Sequence, residues 1–424
     1  MTEEAAGRRD WTDGAVREAL GLAGSAPDVS YTEVATDTRT LAPGALFVAL
    51  RGARFDGHDF LADAAARGAR GAVVERIPAG APPGLVYYPV ADTLTALGLL
   101  ARYRRRRLGA WVCAVTGTNG KTTTKEMARA VLATRGPVHA TAGNLNNLVG
   151  APLTLLSAPA GVASVVVEVG TNAPGEIARL AAIVEPDAGV VTAVAEGHLE
   201  GLRDLEGVLV EKTSLLAALP PGGLALVSEE PPELAARARR LAARVKVAGW
   251  TERADPELRA TEVRLDEFGR VRFRWAGREV RLRFRGRPNA RNALLALGVG
   301  LERGVDPDAA IAALEALAPP HLRSELLRVG EMLLVADCYN ANPASMEAAI
   351  DLLVSLPRRG GRVAIVGTMR ELGAASDALH RRVAERLAAA DVDRIVATGA
   401  FVPAFEPLAE RLGDRLVRDR KSVV

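Results

Sequence analysis

A chain of 424 residues is too long for one hydrophobic core, and its length predicts about three domains. With 49% apolar residues each domain can bury a core, while a formal charge of +3 and only 4% aromatic residues exclude a strongly basic, base-stacking nucleic-acid surface. No apolar run reaches about 18 residues and only two cysteines occur, which excludes a membrane-spanning helix and a disulfide framework.

Along the chain, the opening MTEEAAGRRD lacks the apolar stretch of a signal peptide, so a reducing cytoplasmic setting is expected. ALFVAL (45–50) and GAVVER (71–76) read as buried strands, and DFLADAAARGA (59–69) between them as a helix. A second helix, TALGLLARYRRR (95–106), runs into the arginine cluster RYRRRR, which reads as a solvated helix end before a domain junction. Residues 1–108 form a small α/β domain on this reading.

From 109 to 318 strands and helices alternate, which predicts a mainly parallel sheet. AWVCAV (110–115) is a strand, TGTNG (116–120) a loop and KTTTKEMARAVLAT (121–134) a helix. SVVVEVG (164–170), AGVVTAV (188–194), LALVS (224–228) and RVKVAGW (244–250) continue the strand series. The period then changes to strict apolar–charged alternation over 261–286, with turns at Phe268-Gly269 and Ala276-Gly277, the pattern of an antiparallel meander. Helices follow at 289–304 and 306–317. APPH (318–321) reads as a linker to a third, Rossmann-like domain spanning 319–424, with strands in 332–340, 362–367 and 394–399 and helices at 343–356 and 375–390. The expected class is α/β in three domains, the central one a P-loop ATPase-like sheet with an attached meander.

The strongest chemical signal is AVTGTNGKTTTKE (114–126), where a buried strand turns into a helix. Gly117 and Gly120 let the backbone aim N–H groups inward, and the helix N-terminus favours an anion at the same spot. Lys121 can reach β- and γ-phosphates, and the Thr122 hydroxyl can sit on Mg²⁺. Val115 stands where the usual phosphate loop has its first glycine, so the GTPase-type pattern is absent. Glu168 ends one apolar strand and His198 follows another, both at the carboxyl edge of the sheet, where a carboxylate and an imidazole can hold a metal. Lys212 is one of only five lysines among 54 basic residues, kept in a helix where arginine would normally serve.

TGTNGKTT, TAGNLNNLVGAPLTLL (141–156), EVGTNAPGEI (168–177), GHLE (197–200) and EK (211–212) stand in an order and spacing that resembles the Mur ligases and their folylpolyglutamate synthetase relatives. The resemblance implies amide synthesis from ATP through an acyl phosphate, with Thr118, Asn119 and Thr123 joining Gly117, Gly120, Lys121 and Thr122 around the nucleotide. It implies two Mg²⁺ ions held by Thr122, Glu168, His198 and Lys212, the lysine carbamylated by CO₂, a reaction closed to arginine. Asn289 and Asn292 in GRPNARNALLAL (286–297) would take adenine, with helix capping as the alternative when the two asparagines are read alone. Arg323 would reach the γ-phosphate and Asp337 the ribose. Lys121, Lys212, His198 and Arg323 are the expected catalytic set.

DCYNANPASM (337–346), ELGAASDALH (371–380) and 44–74, with DTR (37–39) before it, are similar to the branch of Mur ligases that joins D-alanyl-D-alanine to a UDP-N-acetylmuramoyl-tripeptide. That implies Thr38, Arg39 and Asp56 on the uridine diphosphate. Asn144, Asn146, Asn147, Thr171, Asn172, Tyr339 and Asn340 would line the path of the two peptide substrates. A monomer is expected, with no nucleic-acid partner. Ala336, Thr368, Val169 and Thr171 depart from the family's usual residues. The resemblance also implies a further strand with a lysine-glycine-serine-like turn beyond the closing RKSVV. Two alternatives stay open: a Mur ligase that adds the third amino acid, and a non-catalytic binder of nucleotide or UDP-sugar.

Overall fold

The computed structural model describes residues 11–24, 28–52, 54–358 and 360–419. The expectations about a signal peptide at 1–10 and about the closing segment 420–424 fall outside the described residues.

The central unit follows from its strands. Trp111–Thr116, Ser164–Glu168, Ala188–Val191 and Leu224–Ser228 are short, β-branched and almost entirely buried. Strands covered on both faces need no polar alternation and suit a parallel sheet. They form it with Val138–Ala140 and Arg244–Ala248 at the edges; Trp111–Thr116 lies between Ala188–Val191 and Ser164–Glu168. The chain runs from Trp111–Thr116 to the edge strand Val138–Ala140, returns through Ser164–Glu168, and then builds outward on the other side from Ala188–Val191. The carboxyl end of Trp111–Thr116 therefore lies at the switch point where such sheets bind ligands.

The alternating segment forms the expected meander, Thr261–Leu265, Arg270–Trp275 and Arg278–Arg285. Ala276 and Gly277 both take positive φ, the two-residue turn that matches strand twist. Its apolar face, with Phe273, Trp275, Leu282 and Phe284, packs against the helices Pro288–Glu302 and Pro307–Ala316, which in turn pack on Lys121–Ala133. Each such buried side chain contributes roughly 1.5–3 kcal/mol of transfer free energy. This packing fixes the helix that carries the phosphate loop.

The N-terminal unit is a four-stranded parallel sheet, Val34–Ala35, Leu46–Val48, Gly71–Val74 and Val86–Pro89, beside a short antiparallel pair of Trp11–Thr12 and Ser30–Tyr31 joined through the helix Asp13–Leu20. The arginine cluster is not merely solvated, as its sequence suggests. Arg104 is buried and donates to the Ala158 carbonyl at 2.8 Å. Arg102 and Arg106 pair with Glu185, and Arg105 with Asp187, tying the helix Thr93–Arg107 to the central unit.

In the C-terminal unit, Val363–Val366, Arg394–Thr398 and Leu416–Asp419 form a parallel sheet. The strand expected in 332–340 is shorter and placed differently. Met332–Ala336 pairs antiparallel with Glu325–Val329 as a separate hairpin, turned at Gly330, whose φ is 60°. Cys338 lies past its end and is exposed, whereas Cys113 is buried, and both thiols are free.

Candidate active site

The loop after Trp111–Thr116 is shaped by its glycines. Gly117 has φ 142° and Gly120 φ 87°, and a Cβ on Gly120 would run into the Asn292 amide. Gly120→Ala is expected to destabilise the central unit by about 1–2 kcal/mol through the backbone alone and to weaken nucleotide binding further. Chemical denaturation and an ADP titration measure the two effects.

Lys121, Thr122 and Thr123 open the helix behind this loop. The Lys121 Nζ donates to the carbonyls of Gly117 (2.9 Å) and Thr118 (3.2 Å), so the amine lies over the loop. Burial lowers its pKa, Arg323 adds to that, and Glu168 and Glu371 oppose it.

Glu168 is 1% exposed at the end of its strand. Asn146 donates to its Oε1 at 2.8 Å, and its Oε2 is buried without a partner among the described residues. An unpartnered carboxylate oxygen is costly to bury unless a cation or donor arrives. Asn146 thus orients the carboxylate and leaves one oxygen for a ligand. The Asn147 side-chain oxygen accepts from the backbone N–H groups of Val149 (3.1 Å) and Gly150 (2.8 Å), and Asn144 lies on the same loop.

His198 sits in the left-handed region at φ 57°, and its Nδ1 is 2.5 Å from Glu371 Oε2. Lys212 is fully buried in the helix Leu205–Ala217, and its Nζ has no hydrogen-bond partner among the described residues. Burial, then Lys121, hold its amine well below the usual lysine range, while Glu211 and Glu176 act the other way.

A cavity of about 570 Å³ gathers these groups. Its lining includes Thr118 to Thr123, Asn144, Asn146, Asn147, Glu168, Thr171, Asn172, His198, Asn289, Asn292, Arg323, Asp337, Tyr339 and Asn340. Lys212 lies behind this lining rather than in it. Thr171 is tied down, donating to the Ala173 carbonyl at 2.7 Å. The Arg323 guanidinium donates to the Thr122 hydroxyl at 3.3 Å and stacks over Tyr339. Asp337 accepts from Ser324 at 3.2 Å, and burial raises its pKa against the pull of Ser324 and Arg323.

Asn289 and Asn292 are not helix caps. Asn289 donates to the Arg285 carbonyl at 2.6 Å and accepts from Asn292 at 2.9 Å, so part of their hydrogen-bonding capacity is spent inside the chain. Beside them Arg291 pairs with Glu230 and stacks over Trp250, a cluster sequence reading missed because its partners lie far apart in the chain.

Thr38, Arg39 and Asp56 do not reach this cavity. Arg39 pairs with Asp37 at 2.7 Å. Asp56 accepts from the His58 backbone at 3.0 Å and pairs with its ring, and these bonds hold its carboxyl down at about 2.

The chain matches three family descriptions: Mur ligase family, catalytic domain, over residues 30–105; Mur ligase middle domain over 115–300; and Mur ligase, glutamate ligase domain, over 322–422. It is 38% identical over 376 residues to the UDP-N-acetylmuramoyl-tripeptide–D-alanyl-D-alanine ligase of Escherichia coli, covering 88% of this chain and 82% of that one. A crystal structure of MurF from Acinetobacter baumannii superposes with a TM-score of 0.85 at 31% identity, covering 96% of this chain and 89% of that one. MurF from Thermotoga maritima in complex with ADP superposes at 0.78 with 26% identity, covering 91% and 92%.

Proposed function

The chain belongs to the Mur ligase family, and from that premise we propose that it uses ATP to join D-alanyl-D-alanine to a UDP-N-acetylmuramoyl-tripeptide. The observation that carries this reading is the meeting, in one cavity, of a phosphate loop, a carboxylate with one free oxygen, and an arginine from the C-terminal unit.

The tripeptide carboxylate attacks the γ-phosphorus, the bond to the β–γ bridging oxygen breaks, and ADP leaves. The dipeptide amine then adds to the acyl phosphate carbonyl, phosphate departs and the amine loses its proton. Lys121 and Arg323 spread the charge of the transferring phosphoryl group. Arg323 contributes only when the C-terminal unit is docked, which ties chemistry to closure.

The residues fit two Mg²⁺ ions: Glu168 keeps a buried free oxygen, Thr122 offers a hydroxyl, and His198 faces the cavity. When bound, Mg²⁺ would neutralise phosphoryl oxygens. Lys212 would join as a carbamate, because the neutral amine is the form that reacts with CO₂ and burial shifts the Lys212 amine toward that form. Among the described residues no three His, Cys, Asp or Glu side chains form a metal cluster of their own.

On this reading residues 1–108 hold the UDP-sugar through Thr38, Arg39 and Asp56. Residues 109–318 hold ATP, with Asn289 and Asn292 on adenine and Asp337 on the ribose. Residues 319–424 take the dipeptide, with Tyr339 and Asn340 facing it across from Asn144, Asn172 and Thr171. The site of action is the cytoplasm and the chain works as a monomer. No helix among the described residues is long and apolar enough to cross a membrane.

Phosphate release, measured over a panel of UDP-muramoyl-peptides and amines, tests the proposal. D-alanyl-D-alanine with the tripeptide is expected to give the highest kcat/KM. Faster reaction of a single amino acid with the dipeptide precursor would assign the chain to the third-residue ligases. Nucleotide binding without turnover would assign it to the non-catalytic binders.

A further inference from the structure

The loop before the short turn Gly373–Ala375 docks on the turn that carries His198. Glu371 takes φ 62°, rare for a residue with a side chain, directly against His198 at φ 57°. Its carbonyl accepts the Glu200 N–H at 3.0 Å. Two residues on, a Cβ at Gly373 would stand 3.0 Å from the Glu200 Cα, so the two backbones are as close as a glycine allows. This approach delivers the Glu371 carboxylate to His198 Nδ1 at 2.5 Å.

An imidazole has two nitrogens, and a carboxylate on one fixes what the other can do. The contact is one of charge rather than an aligned hydrogen bond, since Nδ1 has no hydrogen-bond partner among the described residues; a proton drawn to Nδ1 by the adjacent carboxylate leaves the Nε2 lone pair free. His198 lines the cavity with Glu168, Thr122 and Lys121. We propose that Glu371 is a positioning residue that holds His198 with its Nε2 lone pair toward the phosphate site, so that this ligand is set only when the C-terminal unit is docked. The proposal rests on the metal role given to His198 above and adds a residue from another unit that controls it. A plain docking contact would explain the ion pair but not the strained backbone on both sides of it. The same interface already has an ordinary clamp, the two-pronged pair of Arg382 with Glu196 at 2.8 and 2.5 Å.

The test compares the full chain with Glu371→Ala, Glu371→Gln and Arg382→Ala. Mn²⁺ affinity is read by electron paramagnetic resonance in the presence of a non-hydrolysable ATP analogue, and ADP affinity is read without metal. Removing the carboxylate that orients a metal-binding histidine typically weakens metal affinity about 10–100-fold, and that is expected for Glu371→Ala. Glu371→Gln can still accept from Nδ1–H through its amide oxygen and should keep most of the affinity. Metal-free ADP binding should stay within about twofold in all variants, and Arg382→Ala, which loosens docking without touching His198, should lose clearly less Mn²⁺ affinity than Glu371→Ala. Wild-type Mn²⁺ affinity in both Glu371 variants would overturn the proposal, and so would an equal loss in Arg382→Ala, which would reduce Glu371 to a docking contact. A wild-type chain that turns over but binds no Mn²⁺ beside the nucleotide would remove the metal role of His198 and this proposal with it, leaving the ligase activity standing.

Discussion

Lys121→Ala is expected to fold normally and to lose at least 99% of its turnover. The side chain contributes little to the core: its amine bonds only the Gly117 and Thr118 carbonyls, and Lys121 and Thr118 both line the cavity. The lost interaction is with charge that develops on the phosphoryl group. Removing one such preorganised donor elsewhere costs about 2.7–4 kcal/mol, or 10²–10³ in kcat. The nearby cation Arg323 cannot substitute, because it is held on Thr122 and Tyr339. Circular dichroism and phosphate release on the purified variant measure the two halves of the prediction. Normal spectra with more than about a tenth of wild-type kcat, a loss of only ~1.4 kcal/mol, would remove Lys121 from the phosphate site.

The phosphate loop was legible because its chemistry is local. Two glycines, a lysine and threonines in eight consecutive residues need only the strand before them and the helix after them. Glu168 and His198 were legible for a related reason, since each ends or follows an apolar strand and parallel strands bring their carboxyl ends together. The meander was legible down to its second turn, because alternation has a period of two and Ala276-Gly277 supplies the positive φ. What escaped was set by tertiary approach. Asn119 in the phosphate loop and Asn342 at the start of the helix Pro343–Ser355 exchange two amide hydrogen bonds, at 3.0 and 2.7 Å. Nothing local marks either residue as a partner; Asn342 also reads as an ordinary cap, which it is. Glu371 was visible inside a motif, yet its role appears only when its backbone meets Glu200. Strands of two residues, such as Val34–Ala35, are too short to show any period. The placement of Thr38, Arg39 and Asp56 outside the cavity lining depends on how units pack, which residue patterns within one unit do not encode.

Lys212→Arg is expected to lose activity as completely as Lys212→Ala, although it keeps length and charge. The Lys212 Nζ is enclosed and finds no hydrogen-bond partner among the described residues, a costly arrangement for an ammonium. A neutral amine at the same place can attack CO₂; the new N–C bond forms, a proton leaves, and a carboxylate on a long arm results. That group reaches further than the amine, which matters because the cavity lining stops short of Lys212. Arginine stays charged at any working pH and cannot form the carbamate, so it puts a cation where an anion is needed. A lost fold would mimic this result in the arginine variant, which must bury its charge, but the alanine variant separates the two explanations. It leaves a void of the shape of the lost side chain, into which formate, acetate or propionate can carry a carboxylate. Partial return of phosphate release with added small acids is expected for Lys212→Ala and none for Lys212→Arg. The wild type grown with labelled bicarbonate should show a carbonyl ¹³C signal that Lys212→Ala lacks. Near-normal turnover in Lys212→Arg, or an alanine variant that no acid restores together with a wild type that takes up no label, would return Lys212 to the role of an ordinary buried helix residue.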